Sequence, residues 1–344
     1  MKLLYHGAFF PGSTALHRLE GFSALPGLEA VAQEAKTAPG NWLTRLRWRA
    51  RWPRDAAGDN AALVDAARRH RPDIVFIDNS RLIDRPTLAL LREAGAKLLA
   101  YYSPDDMMAP HNFSWPLRLT YPEWDLVFTT KSFNVPELAA RGVRHPCLVG
   151  NGYSPRDHRP CTREEVGPDF EKFDCVFIGT YERDRAGGIE RLAQAGMSIV
   201  IYGGNASRLP GWRTINHPNV ALRPAVYAEE YSRCLHHGKI ALCFLRKANR
   251  DRITTRSIEI AATGRPMLAE HTAEHDGHFA NGDEYLSFSS DAELVAQAQK
   301  LLTDSSRRRR LGLAASQRCL ESGYSNDHRA AEMLQEICRV GHAI

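Results

Sequence analysis

Short apolar runs, often β-branched, alternate along this chain with stretches whose apolar positions recur every three or four residues. That alternation predicts βα units wound around parallel sheets. The strongest strand signal is Asp73–Asp78 (DIVFID), where four apolar residues follow a proline and end on a carboxylate. Lys2–Tyr5, Lys97–Tyr102 and Leu126–Thr129 repeat the pattern. Between them, helical periodicity predicts helices over 60–70, 86–94 and 133–141, and a further helix starting from a Ser13 cap through Leu16 and Leu19. Gly95 and Gly142 stand where such helices need a left-handed exit.

The pattern restarts at Cys175–Gly179 (CVFIG) and continues with Ser198–Gly203, Val220–Leu222, Ile240–Phe244 and Pro266–Ala269. From Asp291 the chain reads as helices, broken near Gly323–Ser325. Between the two series, 150–173 holds Pro155, Pro160 and Pro168, many charges and no apolar period, as a hinge does. The expected architecture is therefore α/β with two Rossmann-like domains, at 1–152 and 173–325, joined by a linker at 153–172. A last helix at 326–344 is placed to cross back to the first domain. A ligand cleft is expected between the domains.

Composition narrows the class. A length of 344 residues suits two domains, and 43% hydrophobic with 25% charged residues excludes disorder, collagen and coiled coil. The net charge of +5 suits an anionic ligand and is too small to argue for nucleic acid. Seven cysteines (147, 161, 175, 234, 243, 319, 338) without a CxxC pair read as reduced thiols. No apolar run approaches the ~18–20 residues that span a bilayer. The start, MKLLYHGAFFPG, is too short and interrupted for a signal peptide, so a cytoplasmic protein is expected.

Two segments of the second half could hold an anionic ligand. In FIGTYERDR (Phe177–Arg185), a buried strand runs into Gly179 and Thr180 and is followed by Arg183 and Arg185. A glycine turn lets backbone N–H groups approach phosphate, and hydroxyl and guanidinium add charge-assisted bonds. Solvated arginines after a plain βα turn would give the same letters. In DRITTRSIEIAATGRPMLAE (Asp251–Glu270), Arg256 and Glu259 share a face of one helix. They form either an exposed ion pair or, given the surrounding isoleucines and alanines, a cleft-lining carboxylate suited to the vicinal hydroxyls of a ribose.

These motifs, R-x-x-E-x-x-A-x-G followed by P-M-L-A-E, the Gly282–Tyr285 segment, F-I-G-T-Y-x-x-x-R, I-Y-G at Ile201–Gly203 and Tyr324–Arg329, resemble the C-terminal half of CgeB-like glycosyltransferases. In the first half, S-P-D-D at Ser103–Asp106, Y-x-x-W-D-L-V-F-T-T-K at Tyr121–Lys131 and G-Y-S-P-x-x-H at Gly152–His158 are similar to that family as well; 25–59 carries no such likeness. The resemblance implies the GT-B fold, two Rossmann-like domains facing each other across a cleft, and a nucleotide-sugar donor held by the C-terminal domain. It implies that Glu259 binds the ribose and that Gly179, Thr180 and Arg185 hold the diphosphate with Arg183 and Arg256. Tyr202, Gly203 and Thr255 complete the donor-binding set, Gly203 at the base pocket. Eight positions before Glu259, where the family's E-x7-E motif has its other Glu, this sequence has Asp251. No metal cofactor is expected, because arginines and helix N–H groups can neutralise the diphosphate.

The acceptor, unidentified by sequence, is expected on the N-terminal domain, near Gly12, Ser13 and His111. An inverting transferase needs a general base there, and Asp105 and Asp106 at a strand end are the candidates, ahead of His17. A turn or helix cap is the alternative for that pair; a retaining mechanism needs no such base. A nucleotide-sugar epimerase and a non-catalytic two-lobed binding module remain the competing readings. Finally, Trp42–Asp55 interleaves Arg45, Arg47, Arg49, Arg51 and Arg54 with Trp42, Trp48 and Trp52. That suits either contact with a membrane surface or lipid phosphate, or a helix packed by its tryptophans with solvated arginines. Nucleic acid is not an expected partner, and Arg307–Arg310 read as a solvated helix face.

Overall fold

The computed structural model describes residues 1–37, 41–203 and 211–342. They form two compact units, Met1–Asn151 with Asn326–Ile344, and Gly152–Ser325. The first unit carries a sheet of β1 (Lys2–Gly7), β2 (Glu29–Glu34), β3 (Ile74–Asp78), β4 (Leu98–Ser103), β5 (Leu126–Thr129) and β6 (Pro146–Leu148). Its order is β2-β1-β3-β4-β5-β6, every pair parallel. Side chains alternate between its faces. Leu4, Val75, Leu99 and Val127 pack under helices Asp59–His70 and Arg85–Glu93. Tyr5, Phe76, Ala100 and Phe128 pack under helices Thr14–Ser23 and Asn326–Gly341. Both faces are covered, which explains the unbroken apolar runs of β3 to β5.

The second unit repeats the plan with β7 (Phe173–Ile178), β8 (Ile199–Tyr202), β9 (Val220–Arg223), β10 (Gly238–Cys243), β11 (Met267–Glu270) and β12 (Leu286–Phe288). These pair in parallel in the order β12-β11-β10-β7-β8-β9. Helices Glu229–Leu235, Thr255–Ala262 and Ser305–Glu321 cover one face, and Arg183–Gln194 and Asp291–Thr303 the other. In each sheet the winding direction reverses once, between β1 and β3 in the first and between β7 and β10 in the second. Ligands of such sheets bind outside the carboxyl ends of the strands at that reversal.

The two-fold α/β plan and the central strands agree with the sequence reading. Three strands escaped it, β2, β6 and β12, and each is an edge strand of its sheet. Edge strands are covered on fewer sides, so EAVAQE, PCL and LSF carry no sustained apolar run. Gly95 and Gly142 adopt the expected left-handed φ, +104° and +88°. The stretch read as a linker is fastened to the second unit: Ser232 Oγ donates to the Asp157 carbonyl (2.6 Å), the Glu171 N–H to the His236 carbonyl (2.8 Å), and Arg265 reaches Glu171 (3.0 Å). The helix at Trp42–Arg49 stops short of Trp52, so Trp48 and Trp52 do not pair one turn apart; Arg51 turns the chain with φ +59°. Trp52 instead meets Trp115 with its ring tilted (6.2 Å between centroids, 34° between planes).

Two buried histidines tie the second unit together through both ring nitrogens. His236 Nδ1 donates to the Ser232 carbonyl (2.7 Å), and its Nε2 accepts the Cys161 N–H (3.3 Å). His275 Nδ1 donates to the Glu270 carbonyl (2.9 Å), and its Nε2 accepts from Ser257 (2.8 Å). An acceptor nitrogen requires the neutral ring, and burial holds both pKa values down, to about 4. Between pH 6.5 and 4 the unfolded chain takes up protons that the folded chain refuses. Stability is therefore intact above pH 6.5 and declines as pH falls towards 4, by up to roughly 3 kcal/mol per histidine. Melting temperatures at pH 7.5, 6 and 4.5 should fall accordingly, and the fall should flatten in a His236→Gln/His275→Gln protein. An equal slope in that variant would refute the assignment.

Candidate functional site

In the second unit, β7 delivers Gly179 and Thr180 to the carboxyl edge at the reversal point. Arg185, in the first turn of helix Arg183–Gln194, folds back so that Nη1 donates to the Thr180 carbonyl (3.1 Å) and lies 3.4 Å from its hydroxyl. Arg256 enters from the first turn of helix Thr255–Ala262. Its guanidinium packs so closely on Gly179 that a Cβ there would lie 3.0 Å from Nη2, so glycine is the residue that fits. Both guanidiniums stand by the ring of Phe177, 5.9 and 5.6 Å from its centroid. The Nε atoms of both arginines are buried without a hydrogen-bond partner. Burial, reinforced by the neighbouring positive charge of Arg256, pulls the pKa of Arg185 down to about 10. Two cations held together with donors unfilled form a receptor for an anion with several oxygens.

The helix start that carries Arg256 is itself pinned. Ser257 Oγ accepts the Thr254 N–H (3.4 Å) and is locked by His275. Glu259 follows one turn later, its side chain 13% exposed, with His158 Nε2 at 3.7 Å. His158 Nδ1 accepts the Ser154 N–H (3.0 Å), so the neutral ring carries its proton on Nε2, towards the carboxylate. Tyr231 meets the His158 ring edge-on (5.3 Å), and burial together with the Glu259 charge raises its pKa well above the ordinary value. No ion pair joins Arg256 to Glu259 among the described residues; the carboxylate belongs to a separate cluster with His158 and Tyr231. His158 was legible only as the last letter of G-Y-S-P-x-x-H, with no role attached.

The other donor-side residues separate clearly. Arg183 is exposed, while Thr255 opens the Arg256 helix and is half-buried. Tyr202 is 3% exposed with its hydroxyl 2.5 Å from His237 Nδ1, so only its backbone is available to a ligand. Gly203 is occupied from within: a Cβ there would sit 2.2 Å from the indole of Trp212. That fully buried tryptophan, which sequence reasoning missed, donates Nε1–H to the Gly179 carbonyl (3.2 Å) and so fixes the turn. Asp251 accepts from the Arg246 N–H (3.3 Å) and Asn249 Nδ2 (2.8 Å), shaping the loop after β10. Glu270, closing β11, has its pKa raised by burial.

In the first unit, Gly12 (φ +75°) lets the Ser13 N–H close a turn onto the Phe10 carbonyl (2.9 Å). Ser13 Oγ then caps helix Thr14–Ser23 at the Leu16 N–H (3.2 Å) and donates to the Ala8 carbonyl (3.0 Å). Beneath this loop lies a cluster the sequence did not announce. Asp78 accepts from Arg18 (Nη2 at 2.8 Å, Nε at 2.9 Å) and from Tyr5 (2.5 Å), and Arg18 also covers the Tyr102 ring. Breaking a buried pair of this kind typically costs 3–5 kcal/mol, roughly. The two adjacent aspartates part ways. Asp106 is 1% exposed, and its Oδ1 accepts from the Met108 N–H (2.9 Å) and Asn134 Nδ2 (3.0 Å), a turn-building role. Asp105 keeps exposed surface and accepts from Asn79 Nδ2 (3.2 Å) at the end of β3. His111 is exposed and His17 buried. No group of three metal-ligating side chains occurs among the described residues.

Residues 185–335 match the family model described as glycosyl transferase-like, a span that contains Arg185, Arg256 and Glu259. No curated protein matches the chain in sequence. In three dimensions it is similar to sucrose-phosphate synthase from Thermosynechococcus elongatus, with a TM-score of 0.70, 14% identity and all of both chains covered. It is also similar to HepE of Anabaena in complex with UDP-glucose (TM-score 0.67, 15% identity, 98% of this chain and all of that one). S. aureus MnaA with UDP follows (TM-score 0.58, 12% identity, 98% of this chain and 96% of that one). The shared architecture is the GT-B fold, two Rossmann-like domains each wound on a parallel sheet.

Removing one of two crowded cations relieves repulsion while it destroys the receptor. Arg256→Met should leave the unliganded melting temperature unchanged or higher, and should abolish the rise that inorganic pyrophosphate gives the parent protein. A destabilised variant that still responds to pyrophosphate would overturn this reading.

Proposed function

We propose that this protein is a CgeB-like, nucleotide-sugar-dependent glycosyltransferase. The observation that carries the proposal is the pair of buried Arg185 and half-buried Arg256 at the reversal point of the second sheet, both Nε atoms buried with no hydrogen-bond partner, inside the glycosyl transferase-like span. A nucleoside diphosphate supplies the missing acceptors. Its diphosphate takes the two guanidiniums and Thr180, and its ribose hydroxyls take Glu259, oriented by His158. UDP is the first nucleotide to test, since it is bound in the HepE and MnaA structures.

Transfer then follows from charge. An acceptor hydroxyl oxygen attacks the anomeric carbon while the bond from that carbon to the diphosphate oxygen breaks. The electron pair leaves on the diphosphate, where the two guanidiniums stabilise it without a metal ion. The hydroxyl proton passes to Asp105, the half-buried carboxylate of the first unit's carboxyl edge, in an inverting reaction. Asp106 and Ser13 shape the loops around it, and Gly12 and His111 flank the acceptor.

In a thermal-shift panel of UDP, GDP, dTDP and CMP, one nucleoside diphosphate should raise the melting temperature. Glu259→Ala should weaken it at least tenfold, since removing a charged partner from a buried hydrogen bond typically costs 2–5 kcal/mol, roughly. Unchanged affinity in a folded Glu259→Ala protein would sink the donor assignment. Asp105→Asn should cut turnover on the order of 10²–10⁴-fold at unchanged nucleotide affinity, whereas full turnover there would point to a retaining course. EDTA should leave activity intact; loss restored by Mg²⁺ would contradict metal independence. Conversion of the sugar without any acceptor would assign an epimerase instead.

A further inference from the structure

The helix Trp42–Arg49 is built inside out. Successive helical residues advance by about 100°, which places Trp42, Leu46 and Leu43 in one arc of about 100°, with Arg45 and Arg49 on one flank and Arg47 on the other. Trp48 falls on the opposite side, half-buried, with the Arg81 guanidinium 4.6 Å above its ring. The helix is thus fastened by Trp48 and turns its apolar arc to solvent: Trp42, Leu46 and Leu43 are 72%, 55% and 42% exposed. A surface helix of a globular protein normally does the reverse.

The surroundings extend the same face. Of the twelve exposed large hydrophobic side chains among the described residues, six are here: Trp42, Leu43, Leu46, Trp52, Trp115 and Leu119. The Trp115 N–H donates to the Arg51 carbonyl (2.8 Å), which joins the two segments. From 41 to 54 there are five arginines and no acidic residue. Trp52 and Leu119 also line a cavity of about 870 Å³ with apolar walls at Val64, Leu82 and Leu90. All these segments follow β2, β3 or β4, so the face lies on the carboxyl edge of the first sheet, the edge that carries Asp105.

We propose that this face docks the first unit on an anionic bilayer, with the helix lying in the interface. Trp42, Leu43 and Leu46 enter the headgroup boundary and the flanking arginines pair with lipid phosphates. The occupant is set by the combination: cations rimming an aliphatic and aromatic arc. Nucleic acid would use the cations and stack on the rings, but Leu43 and Leu46 offer a base nothing to stack on.

The test is co-sedimentation of the full chain with vesicles of phosphatidylcholine alone or mixed with phosphatidylglycerol, together with tryptophan emission. The mixed vesicles should pellet the protein and shift its emission to the blue, weakening with added salt. Trp42→Ser/Leu46→Ser and Arg45→Glu/Arg49→Glu should each reduce vesicle binding at least tenfold, with melting temperature and nucleotide response unchanged, because every altered side chain is exposed. Absence of binding to the mixed vesicles overturns the proposal, as does binding that both variants retain. Binding to single-stranded RNA in place of vesicles, lost in the same variants, overturns it as well and assigns the face to nucleic acid.

Discussion

Two guanidinium groups held beside the Gly179 turn, that of Arg185 buried and that of Arg256 half-buried, set the terms for the second unit. Like charges do not gather in a folded protein unless the rest of the structure overrides their repulsion, and here the means of override are visible. Phe177 and Gly179 shape the floor, Trp212 braces the Gly179 carbonyl, and the Ser257–His275 bond fixes the helix that presents Arg256. Each of these is a stability element whose geometric consequence is felt where Arg185 and Arg256 meet.

The first unit solves the opposite problem. At its own reversal point Asp78 is buried and paired with Arg18 and Tyr5, so charge there is countered and hidden. Burial opposes charge on Arg18, yet the Asp78 carboxylate keeps its pKa above the ordinary value, while burial pushes Tyr102 up to about 12. That cluster is scaffold: it ties helix Thr14–Ser23 to the ends of β1, β3 and β4 and leaves the loops above to present polar groups. One winding scheme thus yields a crowded pair of cations in one sheet and a neutralised floor in the other. The difference comes from which residues stand at the strand ends.

How far this was readable in advance depended on burial. The central strands announced themselves because both faces of each sheet are covered; the edge strands β2, β6 and β12 did not, because partial exposure erases the apolar run. Arg185 was legible in a glycine turn followed by basic residues, and Arg256 on the R-x-x-E helix. Their mutual crowding was not, since Arg185 and Arg256 lie 71 positions apart. The Asp105-Asp106 doublet shows the same limit. Adjacent letters suggested a pair acting together, but one carboxylate turned inward to Met108 and Asn134 and the other outward. In the Y-x-x-W-D motif, Tyr121 and Trp124 are core residues, and Asp125 is buried under Arg92 and the Leu99 N–H. In this chain, these letters of the motif serve packing.

The Trp42–Arg49 helix carries the lesson further. Its composition admitted two readings, a packed helix or an exposed recognition face, and its hydrophobic content is the same under both. The deciding fact is rotational: which tryptophan faces the body. Trp48 does, fixed by Arg81, which in turn donates to the His111 carbonyl (2.7 Å). Given that one anchor, helical geometry leaves Trp42 and Leu46 no choice but to face outward. Had the anchor been Trp42, Leu43 and Leu46 would face the body with it and the apolar arc would be covered. A single tertiary contact therefore turns an ambiguous stretch of sequence into an exposed amphipathic face, and does so through the loop that carries His111.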